Sequence, residues 1–351
     1  MKTRLSTKFI AAPLLLLGLA MGLLGGPSPA PTAAPRTFLP DSPAGSFTLG
    51  TQFSDHLSGL YLDSITGLWS PVKRDSFLFL DSRYHFEDNG QTITNLGLGY
   101  RKLFPQQKII LGANAFWDHI HSEHHNDFNQ LGLGVEVLTE WVDARFNYYR
   151  PEDGRTQVGH STSHSRTHTT HFGNTTTSTT ERIGSTIFEA GLEGFNTEVG
   201  VKLPFLDRYA ETRVYLGYYR YENPFGRDFD GFKARLEARL LQGVTANLEY
   251  WENTALMGGH WTAEIAVSVP FNLDNLITGR NPFAGASDSF KRLPRSFESR
   301  MSDRLERSHR IQTTTSSPIV TSHSLSVKTT RQVTTHTVPK AKALAAGFPV
   351  E

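Results

Sequence analysis

The chain has 351 residues, no cysteine, and 35 Lys and Arg against 34 Asp and Glu, for a formal net charge of +1. That balance supplies no bulk field to recruit nucleic acid, and the missing thiols exclude a disulfide framework or a thiolate metal site. A hydrophobic content of 38% and a mean hydropathy of −0.35 read like a soluble protein, yet a transmembrane barrel hides in such averages because its lipid-facing and lumen-facing residues alternate and cancel.

Residues 1–34 have the anatomy of a secretory signal peptide. Lys2, Arg4 and Lys8 precede an apolar run from Phe9 to Leu24, and small residues follow at Ser28-Pro29-Ala30 and Ala33-Ala34. Cleavage is expected near 30–34, with Ala30 as the favoured position. An uncleaved anchoring helix is the alternative, weakened by Gly18, Gly22, Gly25, Gly26 and the Pro-rich exit. Residues 35–46 form a Pro-rich lead. No later stretch reaches the ~20 apolar residues that a spanning helix needs, so any further insertion into a membrane must be by strands.

From Phe47 to Phe271 the chain breaks into short runs of period two. Leu131, Leu133, Val135 and Val137 alternate with Gln130, Gly132, Gly134 and Glu136. Between Trp141 and Tyr148, Val142, Ala144 and Phe146 oppose Asp143, Arg145 and Asn147. Phe232, Ala234, Leu236, Ala238 and Leu240 alternate with Lys233, Arg235, Glu237 and Arg239. A helix there would scatter charge around its circumference, so strand is the better assignment despite helix-favouring residues. Strands are predicted to begin near Phe47, Gly59, Asp75, Ile93, Lys108, Asp127, Trp141, Ala190, Ala210, Phe229, Gly243 and Gly259.

Short connections (101–108, 138–141, 204–210, 241–243) alternate with longer polar ones (87–92, 118–127, 150–184, 222–228, 252–258). Loops sorted by rim are the habit of a bacterial outer-membrane barrel. A soluble β-sandwich would give the same alternation. Against it stand the heavily charged polar faces and the aromatics at strand ends: Trp69, Tyr100, Trp117, Trp141, Tyr148, Trp251, Trp261 and Phe271. Such residues suit membrane interfaces. The expected fold is all-β: a transmembrane antiparallel β-barrel of about 12 strands over 47–271, with disordered N-terminal and C-terminal segments.

Particular strings then resemble a known family. Thr94-Asn95-Leu96-Gly97-Leu98-Gly99-Tyr100-Arg101, Leu111-Gly112-Ala113-Asn114-Ala115-Phe116-Trp117-Asp118, Leu131-Gly132-Leu133-Gly134-Val135-Glu136 and Phe146-Asn147-Tyr148-Tyr149 resemble the inverse autotransporter β-domain, the translocator of intimin and invasin. Arg304-Leu305-Glu306-Arg307-Ser308-His309-Arg310-Ile311 is similar to the linker that follows that barrel. The resemblance implies a periplasmic N-terminus and a linker, here 272–312, that returns through the pore. It also implies that inward glycines such as Gly97, Gly99, Gly132 and Gly134 leave room for it. The chain departs from the pattern beyond Gln312, where residues 313–351 are a Thr/Ser-rich tail rather than an immunoglobulin-like domain of ~100 residues.

By parity, Lys233, Arg235, Glu237, Arg239, Asp143, Arg145, Glu136 and Glu249, with Glu264 and Lys202, should face the lumen. Leu131, Leu133, Val135, Trp261, Ile265, Val267 and Phe271 should face lipid, the last four within an apolar stripe resembling the signal read by the barrel-assembly machinery. The charged face could be a conduit, a track for a threaded linker, or mutual charge pairing that fills a wet interior. His119, His121, His124 and His125 crowd one loop, and His160, His164, His168 and His171 the next. His-rich tracts can bind metal, but a solvated loop without groups to orient the rings explains them equally, so the first four remain weak metal candidates. The run 156–180 is too polar to bury a core. Ser and His abound only in such loops, so no enzyme and no cofactor are expected.

The expected function is therefore an outer-membrane translocator-type barrel displaying a short C-terminal tail. Expected partners are the lipid bilayer, the barrel-assembly machinery and a host or cell-surface receptor for cell adhesion, with no nucleic acid. A porin-like or structural barrel, or a surface metal-binding protein, are the rivals. Strands ~4.8 Å apart and tilted ~40° give a twelve-stranded backbone radius of roughly 12 Å, enough for one extended chain. Lys291 to Arg310, with seven basic residues against Glu298, Asp303 and Glu306, has the polarity to occupy it.

Overall fold

A computed structural model describes residues 44–55, 58–70, 75–152, 154–253, 258–292 and 295–333. The signal segment, Ala30 and most of the Pro-rich lead lie outside the described residues. Twelve strands close an antiparallel barrel. In chain order the first seven are β1 (Ala44–Ser54), β2 (Gly59–Trp69), β3 (Ser76–Glu87), β4 (Thr92–Phe104), β5 (Ile109–His121), β6 (Asp127–Thr139) and β7 (Val142–Pro151). Two strands then leave the wall, β8 (Arg155–Phe172) and β9 (Thr175–Gly191). The wall resumes with β10 (Gly194–Lys202), β11 (Glu211–Tyr221), β12 (Phe229–Leu241), β13 (Val244–Asn253) and β14 (Gly258–Asn272).

Each wall strand pairs with its sequence neighbour, except that β10 pairs across the excursion with β7, from Val142↔Val201 to Tyr149↔Gly194. The barrel closes where β1 meets β14, from Ala44↔Asn272 to Ser54↔Thr262. With an even number of strands, β1 begins and β14 ends at the same rim, here the terminal rim. The β8–β9 hairpin stands on the opposite, hairpin rim.

The period of two governs the packing. In β4, Ile93, Asn95, Gly97, Gly99, Arg101 and Leu103 are buried, while Leu96, Leu98, Tyr100 and Phe104 are exposed on the outside. Leu131, Leu133, Val135 and Trp261 are likewise exposed on the outer face. Ile265, Val267 and Phe271 share the outer parity of β14, opposite Glu264, whose carboxylate accepts from Tyr61 inside. Phe271 stacks edge-on against Phe47 at 4.9 Å between ring centroids. An apolar outside around a polar inside inverts the soluble pattern and is what a lipid-embedded barrel requires.

Some sequence expectations change. Connection length separates the rims only weakly: 203–210 on the terminal rim outlasts 88–91 on the other. The eighth wall strand starts at Gly194 rather than near Ala190, because Ala190 belongs to β9. Trp251 has inner parity, packing on Tyr219, and its neighbour Tyr250 is the exposed aromatic.

The larger difference concerns the two Thr-rich stretches. Residues 150–184, expected as a long polar connection, instead fall largely in a hairpin over 155–191 that turns at Gly173, whose φ of 56° lies in the left-handed region glycine tolerates. Residues 313–331, read as part of a disordered tail, supply β15 (Thr313–Thr315) and β16 (Ile319–Arg331), both hydrogen-bonded along β9. Polar composition forbids a core, but Thr favours extended backbone, and a ribbon needs only neighbouring strands. After β14, helix α1 (Leu273–Ile277) and two 3-10 turns (Ala286–Phe290, Phe297–Ser302) reverse the chain at the terminal rim. No helix among the described residues is long and apolar enough to cross a membrane.

Candidate functional site

The lumen is occupied by the chain itself. From the second 3-10 turn onward, residues 300–312 climb between the inner faces of the strands, and an arginine every three or four residues grips the wall. Arg300 forks onto Asp143 of β7, near the terminal rim, at 2.9 and 2.7 Å. Arg304 reaches Asp63 of β2 at 2.8 Å and Glu264 of β14 at 3.0 Å. Arg307 forks onto Asp118 of β5 at 2.7 and 2.6 Å. Arg310 meets Glu87, the last residue of β3 at the hairpin rim, at 3.1 Å. The four pairs therefore step from one rim to the other, around several sides of the wall.

The linker backbone is held as well. Arg101 donates from Nη1 to the carbonyls of Met301 and Asp303 at 2.9 and 2.5 Å. Asn95 donates to the His309 carbonyl at 2.8 Å, and Asn147 to that of Glu306 at 3.3 Å. The amide of Ser308 donates to the Tyr149 hydroxyl at 2.7 Å. Backbone polar groups in a water-poor interior need such partners.

Apolar contacts alternate with the polar ones. Met301 and Leu305 pack with Ile65, Phe77, Phe79, Leu103, Ile110, Phe116 and Leu138. Toward the hairpin rim Ile311 packs with Ile93, Ile120 and Phe128. The interior is thus a filled core and not a uniformly wet conduit.

The charges expected on the inner face lie there, and they mostly satisfy one another. Glu198 accepts from Arg145 at 2.7 Å and Arg235 at 2.6 Å, and lies 3.4 Å from Lys233. Lys233 also reaches Glu249 at 3.3 Å, and Arg235 reaches Glu237 at 2.9 Å. Glu136 pairs with Arg101 at 2.6 Å. The network meets the linker at Glu306, 3.6 Å from Arg235, and at Asp303, 3.3 Å from Arg239. Lys202 sits at the terminal rim, paired with Asp207 at 2.9 Å.

Sequence parity missed the residues that matter most to the linker: Asp63, Glu87, Arg101 and Asp118. Asp118 continues the inner series Gly112, Asn114, Phe116, so the signal is present in the sequence; a strand predicted to end at Trp117 stops one residue short of it. Of the inward glycines, Gly132 alone makes room for the linker, since a Cβ there would strike the Arg307 guanidinium. Gly97 and Gly99 lie under the rings of Phe116 and Phe79, and Gly134 under Asn147 and Asn114. Those three accommodate the barrel's own side chains.

The histidines disperse. His119 and His121 lie on β5 and not in a loop. His119 contacts Asn129 at 3.0 Å, His121 contacts Asp127 at 2.8 Å, and His124 lies 3.6 Å from Glu189. His125 occupies the turn at φ 61°. Among the described residues no three His, Cys, Asp or Glu side chains are arranged to hold a metal ion. The side chain of His160 lies outside the described residues, and His164, His168 and His171 are exposed on β8.

A closed twelve-stranded barrel, apolar outside and threaded by its own C-terminal linker, defines a translocator-type protein of the bacterial outer membrane, embedded in the lipid bilayer. The model of the inverse autotransporter β-domain matches residues 44–259, and the chain belongs to that family. A solved membrane protein from work on in-meso crystallization is similar in fold, with a TM-score of 0.56 and 16% identity over 78% of this chain and 99% of that one. The translocator domain of the autotransporter NalP from Neisseria meningitidis gives a TM-score of 0.29 at 11% identity, over 74% of this chain and 96% of that one. The KdgM porin bound to oligogalacturonate gives 0.37 at 9% identity, over 64% and 97%. No curated protein matches the chain.

Proposed function

We propose that the protein is exported by its signal peptide, assembled by the barrel-assembly machinery, and carries its own C-terminal segment through the lumen to the cell surface. The hairpin rim is then the outer rim and the terminal rim faces the periplasm, where β1 begins and β14 ends. The observation that carries this reading is the rim-to-rim series of Arg300, Arg304, Arg307 and Arg310 on Asp143, Asp63, Asp118 and Glu87. A diffusion pore has no use for a segment so fastened, whereas a translocator must fill its lumen once the passenger has crossed.

The segment delivered is residues 313–351, which include β15 and β16, and its role is contact with a receptor on a host or neighbouring cell. Among the described residues the hydroxyls of β15 and β16, with the imidazole of His323, line an exposed ribbon, and the proposed role is binding. An epitope after Glu351 should bind antibody on unpermeabilised cells. Binding only after permeabilisation would leave the tail in the periplasm and overturn the assignment.

A further inference from the structure

Once the tail is outside, nothing in the lumen alone explains what becomes of it. The hairpin supplies an answer. The edge of β9 that faces away from β8 is filled from base to tip by the C-terminal segment. At the base Leu192 donates to the Gln312 carbonyl at 2.8 Å, and Thr313 pairs with Gly191. Ser316 bonds Phe188 in both directions, its amide donating at 2.7 Å and its hydroxyl accepting at 3.0 Å. β16 then runs antiparallel to β9 from Ile319↔Thr186 to Arg331↔Thr175. At the tip the Gln332 amide donates to the Asn174 carbonyl at 2.8 Å.

Polar Thr-rich strands specify register poorly and tend to slip. This pairing carries features that fix it. Thr186 and Thr321 share a hydroxyl hydrogen bond at 3.0 Å. The pairing shifts at a bulge between Val320 and Ser322. Gly184 lies opposite Ser322, where a Cβ would collide with the serine hydroxyl, so a glycine makes the bulge possible. His323 then meets Glu181 at 2.7 Å. Contacts of this kind distinguish a built seat from an accidental strand edge.

We infer that the β8–β9 hairpin is a receiving edge for the exported tail: β9 captures residues 313–331 by strand addition as they emerge, which opposes return through the pore and presents β16 as an ordered outer strand. The occupant is this chain's own C-terminal segment, and main-chain hydrogen bonds supply the adhesion while the bulge and the His323–Glu181 contact supply register. The inference rests on the hairpin rim being the cell surface.

The chain has no native cysteine, so introduced thiols report cleanly. Thr179 opposes Val327 and Thr180 opposes Ser326. Adjacent antiparallel pairs alternate between wide and close spacing, so one of the two double variants, Thr179→Cys with Val327→Cys or Thr180→Cys with Ser326→Cys, has the closer geometry a disulfide favours. The full-length variants are displayed on intact cells, oxidised with copper phenanthroline, and probed with a membrane-impermeant maleimide. Single Val327→Cys should be labelled without permeabilisation, and one double variant should lose at least tenfold of its labelling until reduced. Labelled single variants with no disulfide in either pair would overturn capture while leaving surface delivery intact. An unlabelled single variant would overturn delivery itself, and capture with it. A second variant replaces residues 159–186 by Asn-Gly, joining Val158 and Ile187, which already pair. Provided it still shows folded-barrel migration, trypsin cleavage at Lys328 and Arg331 should be at least tenfold faster than in the full protein; an unchanged rate would overturn capture.

Discussion

Arg307 and Asp118 face each other across the lumen in a two-pronged ion pair of 2.7 and 2.6 Å, with the guanidinium 4.2 Å above the Phe116 ring. Both side chains are almost fully buried, at 2% and 1% exposure. Removing one member of so buried a pair strands the other, at a cost of about 3–5 kcal/mol. Arg307→Ala should therefore loosen the linker, seen as frequent channel openings in planar bilayers where the parent stays shut. Arg307→Lys should fall between, because a point charge cannot reproduce the fork. Parent-like closure in the Ala variant would show that the pair does not hold the linker.

Taking the linker away altogether should change both conductance and selectivity. Deleting 291–351 removes Arg300, Arg304, Arg307 and Arg310 from Asp143, Asp63, Asp118 and Glu87. The first two keep weaker partners, Arg213 at 3.3 Å from Asp143 and Arg83 at 3.9 Å from Asp63. The lumen gains negative charge, and carboxylates lining a pore favour cations. Stable open steps with a cation-selective reversal potential are expected under a salt gradient. Anion selectivity, or a pore that stays closed, would contradict the arrangement.

How far the sequence disclosed this depends on range. The wall was legible because alternation is local: Leu131, Leu133 and Val135 announce the outer face with no knowledge of their neighbours. The threaded linker was half legible. Its basic polarity fitted a wet lumen, but pairing Arg300 with Asp143, 157 residues away, needs the closed barrel. Interior apolar clusters such as Met301 with Phe77 and Phe79 were hidden for the same reason. The hairpin was obscured by composition. The Gly173-Asn174 turn between two Thr-rich runs was a hairpin signal, overruled by a rule about buried cores that does not govern a ribbon.

Lipid contact can be tested at Leu133, the midpoint of β6 and exposed outward between Gly132 and Gly134. A basic residue at the bilayer midplane of such a barrel costs about 2–4 kcal/mol. Leu133→Arg should sharply reduce the heat-modifiable folded band on gels, whereas Val137→Arg, two turns of the pleat nearer the terminal rim, should be milder. Undiminished folding of Leu133→Arg would remove this face from the membrane.

The histidines allow a test with a negative expectation. His121 is engaged by Asp127 and His124 lies against Glu189, on the base of the hairpin. His121 and His125 sit 5.7 Å apart, ring centre to centre, at a 39° tilt. A zinc site needs three or four donors about 2.0–2.1 Å from one point, with further groups orienting the rings. Here His121 and His124 are already turned to their own neighbours, so assembling a site would break those contacts first. Titration of the purified protein with Zn²⁺ should give only weak, non-saturating heat, unchanged when His121, His124 and His125 are all replaced by Ala. A saturable isotherm lost in the triple variant would establish a metal site at the hairpin rim and reopen a metal-binding role.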